Sequence, residues 1–188
     1  MPTLIPVDVP CSSMRPFLLA VGVFLVALVL GAGCSTPETA IYQKHGFSFD
    51  YPPAWNLTSD EADAGGNVTL TFDTGDGSTF YFSTTPNLSA AFPATDRLDT
   101  LDRWFTESRA HLLNVGAVVI EETQVTVDGT PAHRLLYAIR SEETAYRNIL
   151  VVTARDDVGY SLHLWALPAA HEEMAAGLQT VLTTFRVG

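Results

Sequence analysis

The chain has 188 residues, 47% of them hydrophobic and 16% charged, which suits one globular domain plus a targeting segment. Ten basic residues stand against 21 acidic ones, and the net charge of −11 repels phosphate backbones and discourages a flat seat on anionic lipid. Aromatics at 10% exclude a disordered chain, and no nucleic-acid partner is expected.

The first element is an address. Arg15 precedes the uncharged apolar run Phe17–Leu30, and Gly31-Ala32-Gly33-Cys34 follow it. A basic start, a short apolar core and a small-residue cleavage site make a secretory signal. The run is shorter than the roughly 20 residues of a spanning helix. Leu30-Gly31-Ala32-Gly33-Cys34 resembles a lipobox, although its large aliphatic residue sits one place further from the cysteine than is usual. Cleavage after Ala32, or retention of the run as an anchor, are the alternatives, and either Met1 or Met14 can be the start. Cys11 lies upstream of the apolar run, so no disulfide can form after Cys34, and acylation gives that lone thiol a role. The expected organisation is a signal peptide over 1–33, a tether over 34–40 and a folded domain over 41–188.

Within that domain, Phe47–Tyr51 alternates apolar and polar residues and predicts a half-buried strand ended by Pro52-Pro53, with Trp55 as a core anchor. Val68–Phe72 and Thr79–Ser83 alternate likewise across the Asp-Gly-containing turn 73–77. Leu98, Leu101, Phe105 and Leu112 mark the buried stripe of a helix capped by Thr95 or Asp96 and closed near Gly116. Four strands follow, Ala117–Val127, Ala132–Arg140, Ala145–Ala154 and Tyr160–Leu167, joined by loops short enough to make them antiparallel neighbours. Pro168 opens a last helix striped by Met174, Leu178, Val181, Leu182 and Phe185. The order β-β-β-α-β-β-β-β-α predicts an α+β domain with a single antiparallel sheet flanked by helices.

His45-Gly46-Phe47-Ser48-Phe49, leading to Tyr51-Pro52 and Trp55, resembles the opening of the PsbP/Mog1-like family. The mid-chain helix, the turn Val127–Ala132 and a last helix ending in Thr184-Phe185 extend the resemblance over residues 40–188. It implies an αβα sandwich and a binding or assembly module, and it carries over no catalytic residue.

The residues themselves assemble no catalytic motif. His45, His111, His133, His163 and His171 form no metal-ligand spacing, and His133 with His163 is the one weak metal candidate, conditional on their facing each other. No cofactor is expected. There is no nucleophile elbow, and the carboxylates fall mostly in turns. Asn56, Asn67 and Asn87 head glycosylation sequons. Phe80, Tyr81 and Phe82 run consecutively, so either both sheet faces are covered there or Tyr81 meets a partner; Tyr146 and Trp165 pose the same question. The expected function is a non-catalytic interaction or assembly module, held by lipid on the extracytoplasmic face of the membrane and meeting a protein partner. The alternatives are a solute- or metal-binding envelope lipoprotein with a cleft between sheet and helix, and an envelope hydrolase. The hydrolase would need a close cluster of His, Ser and acid.

Overall fold

In the computed structural model the folded domain is the unit Glu38–Gly188. The structure describes residues 38–95, 98–141 and 144–188. The signal run, Cys34, the start of the tether and Asp96 lie outside the described residues.

Among the described residues the domain forms ten strands in two antiparallel sheets, which corrects the expected single sheet flanked by helices. A three-stranded sheet is made of β1 (Ala40–Lys44), β2 (Phe47–Tyr51) and β10 (Arg186–Val187), in the order β1-β2-β10. A seven-stranded sheet is made of β3 (Asn56–Ala62), β4 (Val68–Asp73), β5 (Thr79–Pro86), β6 (Val118–Val127), β7 (Thr130–Ser141), β8 (Thr144–Arg155) and β9 (Val158–Ala166). Their order is β3-β4-β5-β9-β8-β7-β6. The predicted Phe47–Tyr51 strand therefore belongs to a different sheet from the strands that follow it. Three strands carry no signal in the sequence. The β3 sequence NLTSDEA is polar because it is an edge strand, β1 starts inside the expected tether, and β10 is two residues long.

The small sheet packs on the large one through aromatic rings. Phe47 lies 4.5 Å from Phe82 and Phe49 lies 5.7 Å from it, ring centre to ring centre. Helix α3 (His171–Thr184) adds Met174, Leu178, Val181 and Leu182 to the same core, as its stripe predicts. Helix α2 (Thr100–Asn114) lies on the opposite face of the large sheet, where Trp104, Phe105 and Leu112 pack on Leu135, Tyr137, Leu150 and Val152. The short α1 (Leu88–Ala91) joins that second core through Leu88.

Local chemistry explains the joints. Asp99, not Thr95 or Asp96, caps α2, its carboxylate accepting from the Asp102 N–H. Thr95 instead folds the preceding turn, its Oγ1 accepting from the Leu98 N–H. Gly116 supplies the left-handed turn after α2, as expected, with φ of 89°. Asp156 and Asp157 are both left-handed without glycine, and the Asp157 carboxylate accepts from Ser89 N–H and Oγ, tying the β8–β9 turn to α1.

Candidate functional site

The α2 side of the large sheet is only half covered. The helix packs over β7 and β8 and reaches β9 at Gly159, where Trp104 and Leu88 crowd that glycine, so the same face of the rest of β9, of β5 and of β4 continues beyond it. That continuation carries Ser161, His163 and Trp165, then Thr79, Tyr81 and Ser83, then Thr69 and Thr71. None of these side chains belongs to either core. The consecutive aromatics are thereby resolved: Phe80 and Phe82 are fully buried toward the small sheet, and Tyr81 is 40% exposed on the open face. The sequence between Lys44 and Arg97 holds no Lys or Arg, so β2 to β5 bring acids and hydroxyls but no cation.

A buried polar network lies where the open face meets α2. The Trp165 Nε1–H donates to His163 Nδ1 at 3.3 Å, and His163 Nε2 is hydrogen-bonded to the Tyr137 hydroxyl. An indole nitrogen can only donate, so Nδ1 must be bare and Nε2 must hold the imidazole proton. This tautomer is imposed by the neighbours. A proton added at Nδ1 would face the indole N–H, and burial pushes the His163 imidazole down to about 4. Burial likewise pushes the Tyr137 phenol up. Asn148, fully buried beside Tyr137 and Trp165 in the sheet register, accepts from the Ala166 N–H at 3.3 Å, and its amide beside the Tyr137 hydroxyl partly offsets the effect of burial on that phenol.

Beside this network a cleft of about 350 Å³ opens between α2 and the sheet. Phe92, Leu112 and Leu150 give it an apolar lining, His163 lies at its sheet side, and Glu107, Ser108 and His111 come from α2. A serine, two histidines and an acid thus line one space. No hydrogen bond joins Ser108 to either histidine among the described residues, and Glu107 is held by Arg103 at 2.9 Å. No nucleophile–base pair is assembled there.

The other anticipated residues are dispersed. His133 shares a face with His163 but stands two strands and two residues away, roughly 10 Å or more at the usual strand spacing. Its Nε2 meets the Asp102 carboxylate at 2.8 Å, and its ring stacks on Phe105. His45 and Lys44 both bind Asp60, whose carboxyl is held below its ordinary range chiefly by the Lys44 hydrogen bond and also by His45. His171 is buried, with Nδ1 donating to the Arg147 carbonyl; burial lowers its pKa. Asn56, Asn67 and Asn87 are all exposed, with the Asn67 amide donating to Asp63 at 2.7 Å. Tyr146 packs edge-on against Trp165. Among the described residues no group of three metal-ligating side chains gathers, and no helix is long and apolar enough to cross a membrane.

Known structures share this architecture. Cyanobacterial PsbP (CyanoP) from Synechocystis sp. PCC 6803 superposes with a TM-score of 0.56 at 15% identity, covering 83% of this chain and 96% of that one. A Bacteroides thetaiotaomicron protein gives 0.53 at 15% identity, covering 79% of this chain and 48% of the other. LpqN of Mycobacterium tuberculosis, described as involved in cell envelope biogenesis, gives 0.52 at 11% identity, covering 82% and 87%. At such identities the likeness shows the fold alone. No curated protein sequence matches the chain. Residues 34–187 do match the family described as PsbP-like protein, which covers the β1–β2 aromatic hairpin, both sheets and all three helices; this chain belongs to the PsbP-like family.

Proposed function

We propose that the domain is an interaction or assembly module held by a Cys34-linked lipid on the extracytoplasmic side of the membrane, and that it meets a protein partner through the open face of β4, β5 and β9. The observation that carries this reading is the half-covered sheet face, with Tyr81 presented beyond the edge of α2. An aromatic ring among hydroxyls, free of cations, offers apolar contact area with little desolvation of charge. The PsbP-like fold is compatible with a non-catalytic envelope module, and LpqN supports an envelope setting by analogy.

The test is recovery of the full-length protein from detergent-solubilised membranes after photo-crosslinking from position 81. A stoichiometric crosslinked partner supports the module. Crosslinking no more specific from position 81 than from Ile41, which is exposed on the small sheet, sinks it. Mass spectrometry of the N-terminal peptide tests the tether separately: an acylated Cys34 at the new terminus supports it, and an intact Phe17–Leu30 peptide contradicts it.

A further inference from the structure

We propose that the cleft between α2 and the sheet is a binding site for a small uncharged aromatic molecule bearing one hydrogen-bonding group, of the phenol or indole type. This goes beyond the partner-binding reading and does not depend on it.

Three observations select that chemistry. The first is shape and lining. The cleft is about 350 Å³, within the range of small-ligand sites, and its walls are the Phe92 ring and the Leu112 and Leu150 side chains. The second is the state of His163. Both of its ring nitrogens are taken, one by Trp165 and one by Tyr137, so it can offer the cleft only its ring face and carbon edge. A histidine in this state is a flat neutral platform, suited to stacking and unsuited to anion capture. The third is the unsatisfied polar side of the cleft. Ser108 Oγ and the His111 ring make no side-chain hydrogen bond among the described residues, so a donor and an acceptor are available on the α2 side.

Charge narrows the class further. Among the described residues no Lys or Arg lines the cleft, and the one acid there, Glu107, already has Arg103 as a partner. An anionic ligand would lose water without gaining a counter-charge, and Glu107 would repel it. A neutral ring instead buries its faces against Phe92, Leu112, Leu150 and His163 while one hydroxyl or N–H reaches Ser108 or His111.

The experiment is an NMR titration of the full-length protein in micelles with indole, with benzoate as the charged comparison. The readouts are the His163 ring carbons and the Trp165 indole N–H, which report the cleft and not partition into detergent. Saturable shifts with indole, and none with benzoate over the same range, are expected. Ser108→Trp, which fills the space from a half-buried helix position, is expected to abolish saturation. His111→Ala, which leaves the packing intact, is expected to weaken indole by up to about tenfold, as loss of one hydrogen bond would. Linear, non-saturating shifts overturn the proposal, as do saturable indole shifts that persist in both variants. Benzoate binding as tightly as indole overturns the assignment of ligand class. Partner recovery through Tyr81 is read independently, so either proposal can fail alone.

Discussion

The indole of Trp55 occupies the space that a β-carbon at Gly177 would need: such a carbon would lie 2.5 Å from the indole Cζ2 and 2.9 Å from Pro52 Cγ. Gly177 lies inside α3, where glycine ordinarily costs about 1 kcal/mol relative to alanine. Here the glycine lets α3 close on the Pro52–Trp55 corner that follows β2. Gly177→Ala is therefore expected to destabilise by about 1–3 kcal/mol despite its better helix propensity. Denaturant unfolding of Gly177→Ala, Trp55→Phe and the double variant checks this. Phenylalanine lacks the second ring that meets the new methyl, so the two changes should be strongly non-additive. Additive losses would mean that the Trp55 ring is not what requires glycine.

Acid should weaken the fold in two separate windows. The folded-state pKa of His163 is about 4, below the 6.5 of a free imidazole, so the unfolded chain takes up its proton first as pH falls. Stability is then complete above about pH 6.5, declines toward pH 4 and levels off below it, with a total effect on the order of 1–3 kcal/mol. His171, also lowered by burial, acts in the same direction. Asp60, Asp63 and Asp76 have depressed values, so their contribution is present above the ordinary carboxylate range and is lost only as pH falls further. Thermal unfolding of His163→Gln between pH 7.5 and 4.5 should show a shallower pH dependence than the parent. An unchanged slope would show that His163 is not the buried neutral group.

The sequence carries the local rules and misses what only register creates. The Asp128-Gly129 hairpin, the α3 stripe and the Gly46–Trp55 motif follow from turn chemistry and periodicity, and the structure keeps each. The second sheet is not legible because β1 and β10 have short sequences whose partner, β2, reads equally well as part of a larger sheet. The His163 network escapes the sequence for a similar reason. Tyr137 and His163 are 26 positions apart and meet only because β7, β8 and β9 adopt one register. Trp165, two residues from His163, is the available signal, since period two places both on one face. Which strands α2 leaves open is a matter of packing, and no periodicity reports it.

Asp128 joins a hairpin to the end of the chain. Its carboxylate meets Arg155 at 2.7 Å and Arg186 at 3.7 Å, and accepts from the Val187 N–H at 3.2 Å. The residue is also left-handed, with φ of 49°. Asp128→Asn keeps an acceptor and tolerates that backbone, so it removes only charge between part-exposed groups and should cost under about 1 kcal/mol. Asp128→Val adds backbone strain and loses the acceptor, a further loss of roughly 1–3 kcal/mol. Hydrogen exchange at the Val187 amide should accelerate strongly in the valine variant and little in the asparagine one. Equal acceleration in both would assign the anchoring of β10 to charge alone.

Tyr81 should matter for association and little for folding. It lies on the central strand β5 between Thr71 and His163, with its ring on the solvent side, so Tyr81→Thr keeps strand propensity and removes only the aromatic surface. Its stability should change by no more than about 1 kcal/mol, the scale of one cross-strand pair. Recovery of a partner from solubilised membranes should fall by roughly tenfold or more, as for an aromatic anchor. Ile41→Thr is the matched control, because Ile41 is the more exposed of the two and lies on the three-stranded sheet. Losses of similar size from both variants would point to general surface hydrophobicity. Loss from Tyr81→Thr alone would fix the contact to the face that α2 leaves open, where β4, β5 and β9 bring no Lys or Arg and the hydroxyls of Thr69, Thr71, Ser83 and Ser161 share the face of the ring.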